Sequence, residues 1–335
     1  MPELRRDMVR GNWVVIATER SVRPGDLPVP SHTAPGGNLK TDKLCPFCGG
    51  NESMTPSEIA VVRPEGTEKD GPGWIVRAFP NKFPAFRSEA STEHIATGVY
   101  THQGNYGAHE VIVETPLHNL EFYQHSSENL TALFKVLGER YRVLSSNERI
   151  KYIQIYKNHG LFAGASLSHS HTQIAALPYV PDQAEGLEAY QKETGHCLYC
   201  DIVRQDLEER GRLVLETSEF VVLCPYASRF PYETWIVPRK HCEDFGQISP
   251  EQIQELADIS RRVVAGLIKL VPDLSYNLIV NTSPINDPAR AGRHWLVEIW
   301  PRLIVNSGVE IASGCYINPV APEWAAESLA GALPD

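Results

Sequence analysis

Apolar positions along the chain change period several times, and each change marks an element. From Pro250 to Leu270, the residues Ile253, Leu256, Val263, Leu267 and Leu270 recur at helical spacing. Ser249 stands where an N-cap belongs, Pro250 at the first helical position, and Gln252 where the partner of a capping box would sit. The pattern predicts a helix over that range, and a similar amphipathic stretch predicts another from about Ser127 to Leu144. Shorter alternating or apolar runs predict strands at KYIQIY (Lys151 to Tyr156), SYNLIV (Ser275 to Val280), HSHTQIAALP (His169 to Pro178) and HWLVEIWP (His294 to Pro301). Trp13, Trp74, Trp235 and Trp300 fall in strand-like runs and are expected in the core. The stretch from Ser21 to Lys43 is dense in proline and glycine and reads as an extended irregular arm.

The predicted elements come in two matching sets. In the first half a Cys-x-x-Cys pair is followed by HEVIVETPLHNLEF (His109 to Phe122), and in the second by YETWIVPRKHCEDF (Tyr232 to Phe245). His118 and His241 then fall in register. Each is followed by a helix, a strand, a loop and a strand beginning with histidine; His118 to His169 is 51 positions and His241 to His294 is 53. The expected fold is α+β, in tandem duplicated halves, with a mainly antiparallel sheet and helices on one side. The halves divide near PYVPDQAEG (Pro178 to Gly186), giving residues 1–180 as a catalytic half and 181–335 as a second half.

The chain has 335 residues, enough for two such units. Lys plus Arg number 31 against 41 Asp plus Glu, a formal charge of −10, which opposes broad contact with nucleic-acid phosphates or anionic lipid. No apolar run approaches the ~20 residues of a spanning helix, and charged residues come early in MPELRRDMVRGNW, so a cytoplasmic protein is expected. Four of the seven cysteines form two Cys-x-x-Cys pairs, which suits metal or redox chemistry better than a disulfide framework. Cys224, Cys242 and Cys315 read as ordinary buried thiols.

Each half offers two thiols and two imidazoles: Cys45, Cys48, His118 and His169, then Cys197, Cys200, His241 and His294. Such a set makes a closed tetrahedral site of the kind zinc prefers, so two structural zinc sites are expected. A thioredoxin-like redox pair is the competing reading, but it leaves the recurring histidines without a role. Only the first half carries a further histidine two residues on: His169-Ser170-His171-Thr172-Gln173 faces His294-Trp295-Leu296-Val297-Glu298. On a strand, positions 169, 171 and 173 share one face, so a metal-held His169 would mount His171 and Gln173 beside each other. A neutral imidazole is a good nucleophile toward phosphorus, and the phosphoramidate passes its group on. Gly160, Gly164, Asn158, Ser166 and Gln173 supply candidate donors for the charge that develops on the phosphoryl oxygens.

Four motifs carry a wider likeness: RGNWVVIATERSVRP (Arg10 to Pro24), CPFCGG (Cys45 to Gly50), GAHEVIVETPLH (Gly107 to His118) and GASLSHSHTQ (Gly164 to Gln173). Through them the chain resembles the galactose-1-phosphate uridylyltransferase family, within the histidine triad superfamily, over nearly its whole length. The resemblance implies a nucleotidyltransferase in which His171 takes a nucleoside monophosphate from a nucleoside diphosphate hexose and hands it to a phosphate-bearing acceptor. It implies catalytic roles for His171, Gln173 and Ser166, and nucleotide contacts from Asn158, Gly164 and Ala165. It further implies phosphate contacts from Arg20 and Arg23, a ribose contact from Asn81, and a base pocket with Met54, Thr55 and Phe79. A homodimer is implied too, with the sugar pocket completed across the interface.

Departures from the pattern bear on substrate. The uridylyltransferases proper read His-Pro-His-Gly-Gln, where this chain has Ser170 and Thr172. In the sugar-binding stretch Glu310 is retained, but Val309 replaces a tyrosine and Tyr316 a glutamine. The His-Ser-His form, the complete second metal set, RHWL (Arg293 to Leu296) and SGCYINPV (Ser313 to Val320) resemble the ADP-glucose phosphorylase branch. Competing readings are a uridylyltransferase proper, a histidine triad hydrolase in which water completes the reaction, and a zinc-stabilised nucleotide-binding protein without catalysis.

Overall fold

The computed structural model describes residues 2–18, 41–181, 185–285 and 293–334. The arm arginines Arg20 and Arg23 lie outside the described residues. In chain order the first half holds β1 (Glu3–Arg6), β2 (Trp13–Ile16), β3 (Ala60–Val62), β4 (Val76–Pro80), β5 (His94–Thr97), β6 (Tyr100–Gln103), β7 (Ala108–Val113), α1 (Ser127–Ser145), β8 (Tyr152–His159) and β9 (His171–Leu177). The second holds α2 (Glu185–Thr194), α3 (Leu198–Glu209), β10 (Leu213–Glu216), β11 (Phe220–Leu223), β12 (Thr234–Pro238), α4 (Pro250–Leu270), β13 (Tyr276–Asn281), β14 (Leu296–Pro301), α5 (Gly308–Ser313), β15 (Tyr316–Asn318) and α6 (Pro322–Ala332).

Ten strands form one sheet in the order β10-β11-β12-β14-β13-β8-β9-β7-β4-β3, every pair antiparallel. Read outward from its centre, β8-β9-β7-β4-β3 mirrors β13-β14-β12-β11-β10, and the halves meet where Asn158 pairs with Asn277. The duplication read from spacing is thus a pseudo-twofold sheet.

The predicted caps set the two long helices. Gln252 N–H donates to Ser249 Oγ at 3.2 Å while Ser249 N–H donates to Gln252 Oε1 at 3.1 Å, closing the capping box of α4. Ser126 caps α1 by a single bond, its hydroxyl oxygen accepting from Asn129 N–H at 3.2 Å. Both helices pack on one sheet face, where Leu133, Leu137, Leu256 and Val263 bury against Ile153, Ile155, Ile174, Val280 and Val297 in a core common to both halves. Burial of such side chains stabilises by about 1.5–3 kcal/mol each.

The opposite face carries two separate clusters, one per half. In the first, Phe47, Phe79, Val111 and Val113 gather around Cys45 and Cys48. In the second, Leu187 of α2 and Leu198, Tyr199 and Val203 of α3 pack on Val221, Trp235, Val237 and Leu296. The long helices therefore lie on one side, and α2 and α3 add a helical layer on the other that the sequence pattern does not announce. Val9 joins the second-half cluster, and β1 and β2 complete a three-stranded sheet with β15.

Trp74 and Trp235 are buried, but Trp13 is 44% exposed on β2, where the Arg6 guanidinium covers its ring, so it is not a core residue. Cys224 is buried, whereas Cys242 and Cys315 are only partly so.

Candidate active site and metal groups

Metal-ligand geometry is present twice. The donor atoms of Cys45, Cys48, His118 and His169 lie within 4.8 Å of one another, as do those of Cys197, Cys200, His241 and His294. Metal–sulfur and metal–nitrogen bonds of about 2.3 and 2.05 Å at the tetrahedral angle leave donors about 3.5 Å apart. Cys45 Sγ to His169 Nδ1 is 3.5 Å, Cys48 Sγ to His118 Nδ1 3.3 Å, and Cys200 Sγ to His241 and His294 Nδ1 3.4 and 3.6 Å. The imidazole pairs also match, with centroids 5.5 Å apart at 77° in the first group and 5.2 Å at 81° in the second. His169 Nε2–H donates to the Thr115 carbonyl at 2.7 Å, which leaves Nδ1 bare toward the thiols, the outer-sphere arrangement that orients ligating histidines. These residues could hold two metal ions. His196, the chain neighbour of Cys197, is not part of the second group and lies 3.3 Å from Asp201.

His171 opens β9 two residues beyond His169. Its Nδ1–H donates to the His169 carbonyl at 2.7 Å, so the Nε2 lone pair is free, and the Phe47 ring meets the imidazole edge-on at 5.3 Å. Burial lowers its pKa, opposed by the carbonyl hydrogen bond and reinforced by the Lys157 charge. The imidazole is therefore held neutral and aimed, as a nucleophile must be.

His171 and Gln173 line a cavity of about 310 Å³, a size that takes small molecules. Met54, Thr55, Phe79 and Asn81 line it as well, together with Ser166. Phe47, Val111 and Lys82 belong to it too and were not singled out by sequence. A second cavity of about 230 Å³ shares Ser166 and takes Asn158 from the end of β8 and Ala165 from the loop that joins β8 to β9. That loop bends where Gly160 has φ +80; a Cβ there would lie 2.2 Å from Ser275 Oγ. Gly164 closes the turn and lines neither cavity. Val309 and Glu310 also line neither: they sit on α5, and Glu310 caps its own helix through Ser307.

Behind β9, on the helical face, lies a buried ionic network that sequence reasoning missed. Lys157 Nζ donates to Glu114 at 3.0 and 3.1 Å and to Ser170 Oγ at 2.9 Å. Ser170 and Thr172 hydroxyls donate to the same carboxylate at 2.5 and 2.6 Å, and His125 lies 3.7 Å from it. Burial alone would raise the Glu114 pKa, but the Lys157 charge and these hydrogen bonds hold it well below the usual carboxylate range. The two residues that break the His-Pro-His-Gly-Gln pattern are therefore the ones that anchor β9 from behind. Alternation was the available signal: a strand with 169, 171 and 173 on one face must send 170 and 172 to the other.

A neutral, tethered imidazole shares the lining of a small-molecule cavity with an amide and a serine hydroxyl, an arrangement chemically suited to histidine-based group transfer. Comparisons with known proteins give the family. Residues 1–181 match the profile described as galactose-1-phosphate uridyl transferase, N-terminal domain, and residues 183–298 that of the C-terminal domain. This chain belongs to that family. It is 32% identical over 330 residues to an ADP-glucose phosphorylase of Arabidopsis thaliana, covering 96% of this chain and 90% of that one. It is 29% identical over 342 residues to a galactose-1-phosphate uridylyltransferase of Thermotoga maritima, covering 98% of each. A crystal structure of an Arabidopsis thaliana ADP-glucose phosphorylase with bound ADP-glucose superposes with a TM-score of 0.83, at 29% identity and 98% coverage of both chains.

Proposed function

We propose that this family member is a ping-pong nucleotidyltransferase of the ADP-glucose phosphorylase type. His171 Nε2 attacks the α-phosphorus of a nucleoside diphosphate hexose; the P–O bond to the leaving hexose 1-phosphate breaks and a P–N bond forms. An oxygen of a phosphate-bearing acceptor then attacks the same phosphorus, the P–N bond breaks, and His171 is returned neutral. The observation that carries this reading is the free Nε2 of His171 in a cavity shared with Gln173 and Ser166, whose amide and hydroxyl suit charge on the phosphoryl oxygens. Asn81 is assigned to the ribose, and Met54, Thr55 and Phe79 to the base. Asn158, Gly164 and Ala165 are assigned to further nucleotide contacts, and Arg20 and Arg23 to its phosphates.

Zinc is the metal we assign to both groups, since two thiolates and two imidazoles at these separations suit it. It acts as structural support, with His169 carrying the strand on which His171 stands. Seven free cysteines suit a reducing compartment, which supports a cytoplasmic setting; among the described residues no helix is long and apolar enough to cross a membrane. The 1–180 half is assigned the chemistry. The 181–335 half is assigned sugar contacts from Val309 and Glu310, delivered to the cavity of a second copy in a homodimer, because α5 lines neither cavity of its own chain.

The His-Ser-His form and the 32% relative support adenylate as the nucleotide and phosphate as the acceptor. The Thermotoga relative favours a second reading, uridylyl transfer to a hexose 1-phosphate. Assay of ADP-glucose with phosphate against UDP-glucose with galactose 1-phosphate separates the two. Label from α-phosphorus-labelled donor should remain on the protein and vanish in His171→Ala; release of free nucleoside monophosphate without any acceptor would mark a hydrolase instead.

A further inference from the structure

The side chain of Gln173 has two ends, and only its NH2 end can help a phosphoryl group. An amide oxygen turned toward phosphate oxygens repels them, and by itself an amide is free to present either end. We infer that His109, assisted by Tyr156, is a positioning residue that fixes Gln173 with its oxygen away from the reaction and its NH2 toward the phosphate on His171. The inference rests on the proposed function and specifies how its key amide is aimed.

A donor chain that begins at the backbone carries the argument. Ala85 N–H donates to His109 Nδ1 at 3.2 Å, and a backbone amide cannot reverse its role. A neutral imidazole that accepts at Nδ1 must carry its proton on Nε2. His109 Nε2 lies 3.0 Å from Gln173 Oε1, so the proton points at that oxygen. The Tyr156 hydroxyl donates to the same oxygen at 3.3 Å, with its own oxygen 3.2 Å from His109 Nε2. Were the amide reversed, the imidazole N–H would face an NH2 group, donor against donor. Asn81 does not compete for the proton: its Oδ1 accepts from Phe83 N–H at 2.9 Å, and its NH2, itself a donor, stands 3.4 Å from His109 Nε2 and makes no hydrogen bond to the protonated nitrogen.

The sheet fixes all three residues. Tyr156 stands opposite Gln173 across β8 and β9, and His109 is one diagonal step away on β7, where Val111 is the direct partner. Gly107 lets the start of β7 lie this close, because a Cβ there would fall 2.1 Å from the Ala176 carbonyl oxygen. Burial lowers the His109 pKa, against the opposing bond to Gln173, which favours the neutral form the chain of donors requires.

The test is a double-mutant cycle on the rate of nucleotidyl-His171 formation, followed by rapid quench with α-phosphorus-labelled ADP-glucose and UDP-glucose. Gln173→Ala should slow adduct formation by about a hundredfold, the usual cost of one lost oxyanion donor. His109→Leu should slow it about tenfold or more with KM little changed, and His109→Gln, which can again offer an N–H at the same place, should recover part of the loss. In the Gln173→Ala background His109→Leu should do nothing further. Tyr156→Phe, which removes only an oxygen, gives a smaller effect with the same dependence on Gln173 and serves if His109→Leu fails to fold. A wild-type rate in His109→Leu, or a slowing that persists in full without Gln173, overturns the inference. If the unsubstituted protein takes up no label at His171 from either donor, the proposed function falls first, and this inference with it.

Discussion

The two halves place equivalent positions in equivalent surroundings, yet one holds a cavity and the other a plug. Gln173 pairs with Val111 and Tyr156 across its strand, and Glu298 pairs with Trp235 and Ile279 across its own. By the same register Leu296 stands for His171 and Asn281 for Asn158. In the first half a cavity of about 310 Å³ opens over Val111, His171 and Gln173. In the second, Val9 packs with Tyr199, Trp235 and Leu296, and the Arg10 guanidinium pairs with Glu298. Asn281 donates to the same carboxylate at 2.6 Å, and Arg229 reaches it at 3.3 Å. About 50 Å³ of space is left beside Arg10. The layers behind the strands differ inversely: ions and hydroxyls back the open site, whereas Trp295 and Val297 back the closed one with apolar core. A frame shared by both halves is thus left open or filled by the side chains that its strands and the segments packed on them present.

The largest expected break in this comparison is His171→Ala, which should lower transfer about a thousandfold or more and abolish covalent label, read by donor turnover and acid-quenched protein. Next come the metal groups. Cys48→Ser should cut transfer about ten- to a hundredfold, because it loosens the mount of His171. Cys200→Ser should leave the rate of adduct formation near normal and lower the melting temperature, with metal content measured for both.

Removing one charge of the hidden pair, as in Lys157→Met, leaves Glu114 buried and unmatched and should cost about 3–5 kcal/mol in denaturant unfolding. Because the folded-state pKa of Glu114 is depressed, its contribution is present above the unfolded value of about 4.3 and is lost as pH falls below it. Glu114→Gln should flatten that acid limb of the melting curve. The smallest effect is expected from Leu296→His: label should stay at one equivalent per chain, since a restored imidazole would still face Arg10 and Glu298 with no room for a nucleotide. A second equivalent would show that the imidazole alone separates the halves.

Much of this could be read from the chain because its signals were local or repeated. The capping box at Ser249, the alternation through Gln173 and the two Cys-x-x-Cys pairs each state a rule over a few residues, and the repeat confirms one reading with the other. The hidden pair was not legible, since Glu114 and Lys157 are 43 residues apart and become neighbours only through strand order. No local pattern marks His109, because its contacts are a backbone donor at Ala85 and a partner on β9. The plug escaped notice for the same reason: Arg10 lies 288 positions from Glu298. Val309 and Glu310 were legible as a motif, but their distance from the cavity belongs to the placement of α5, which no local pattern encodes.

The seam where Asn158 meets Asn277 has a mechanical consequence. Backbone hydrogen bonds run unbroken across it and one apolar layer lies beneath both sides, so the chain has no hinge at its midline. Calorimetry should record a single endotherm rather than two, since neither half can unfold without breaking the sheet and the core that it shares with the other.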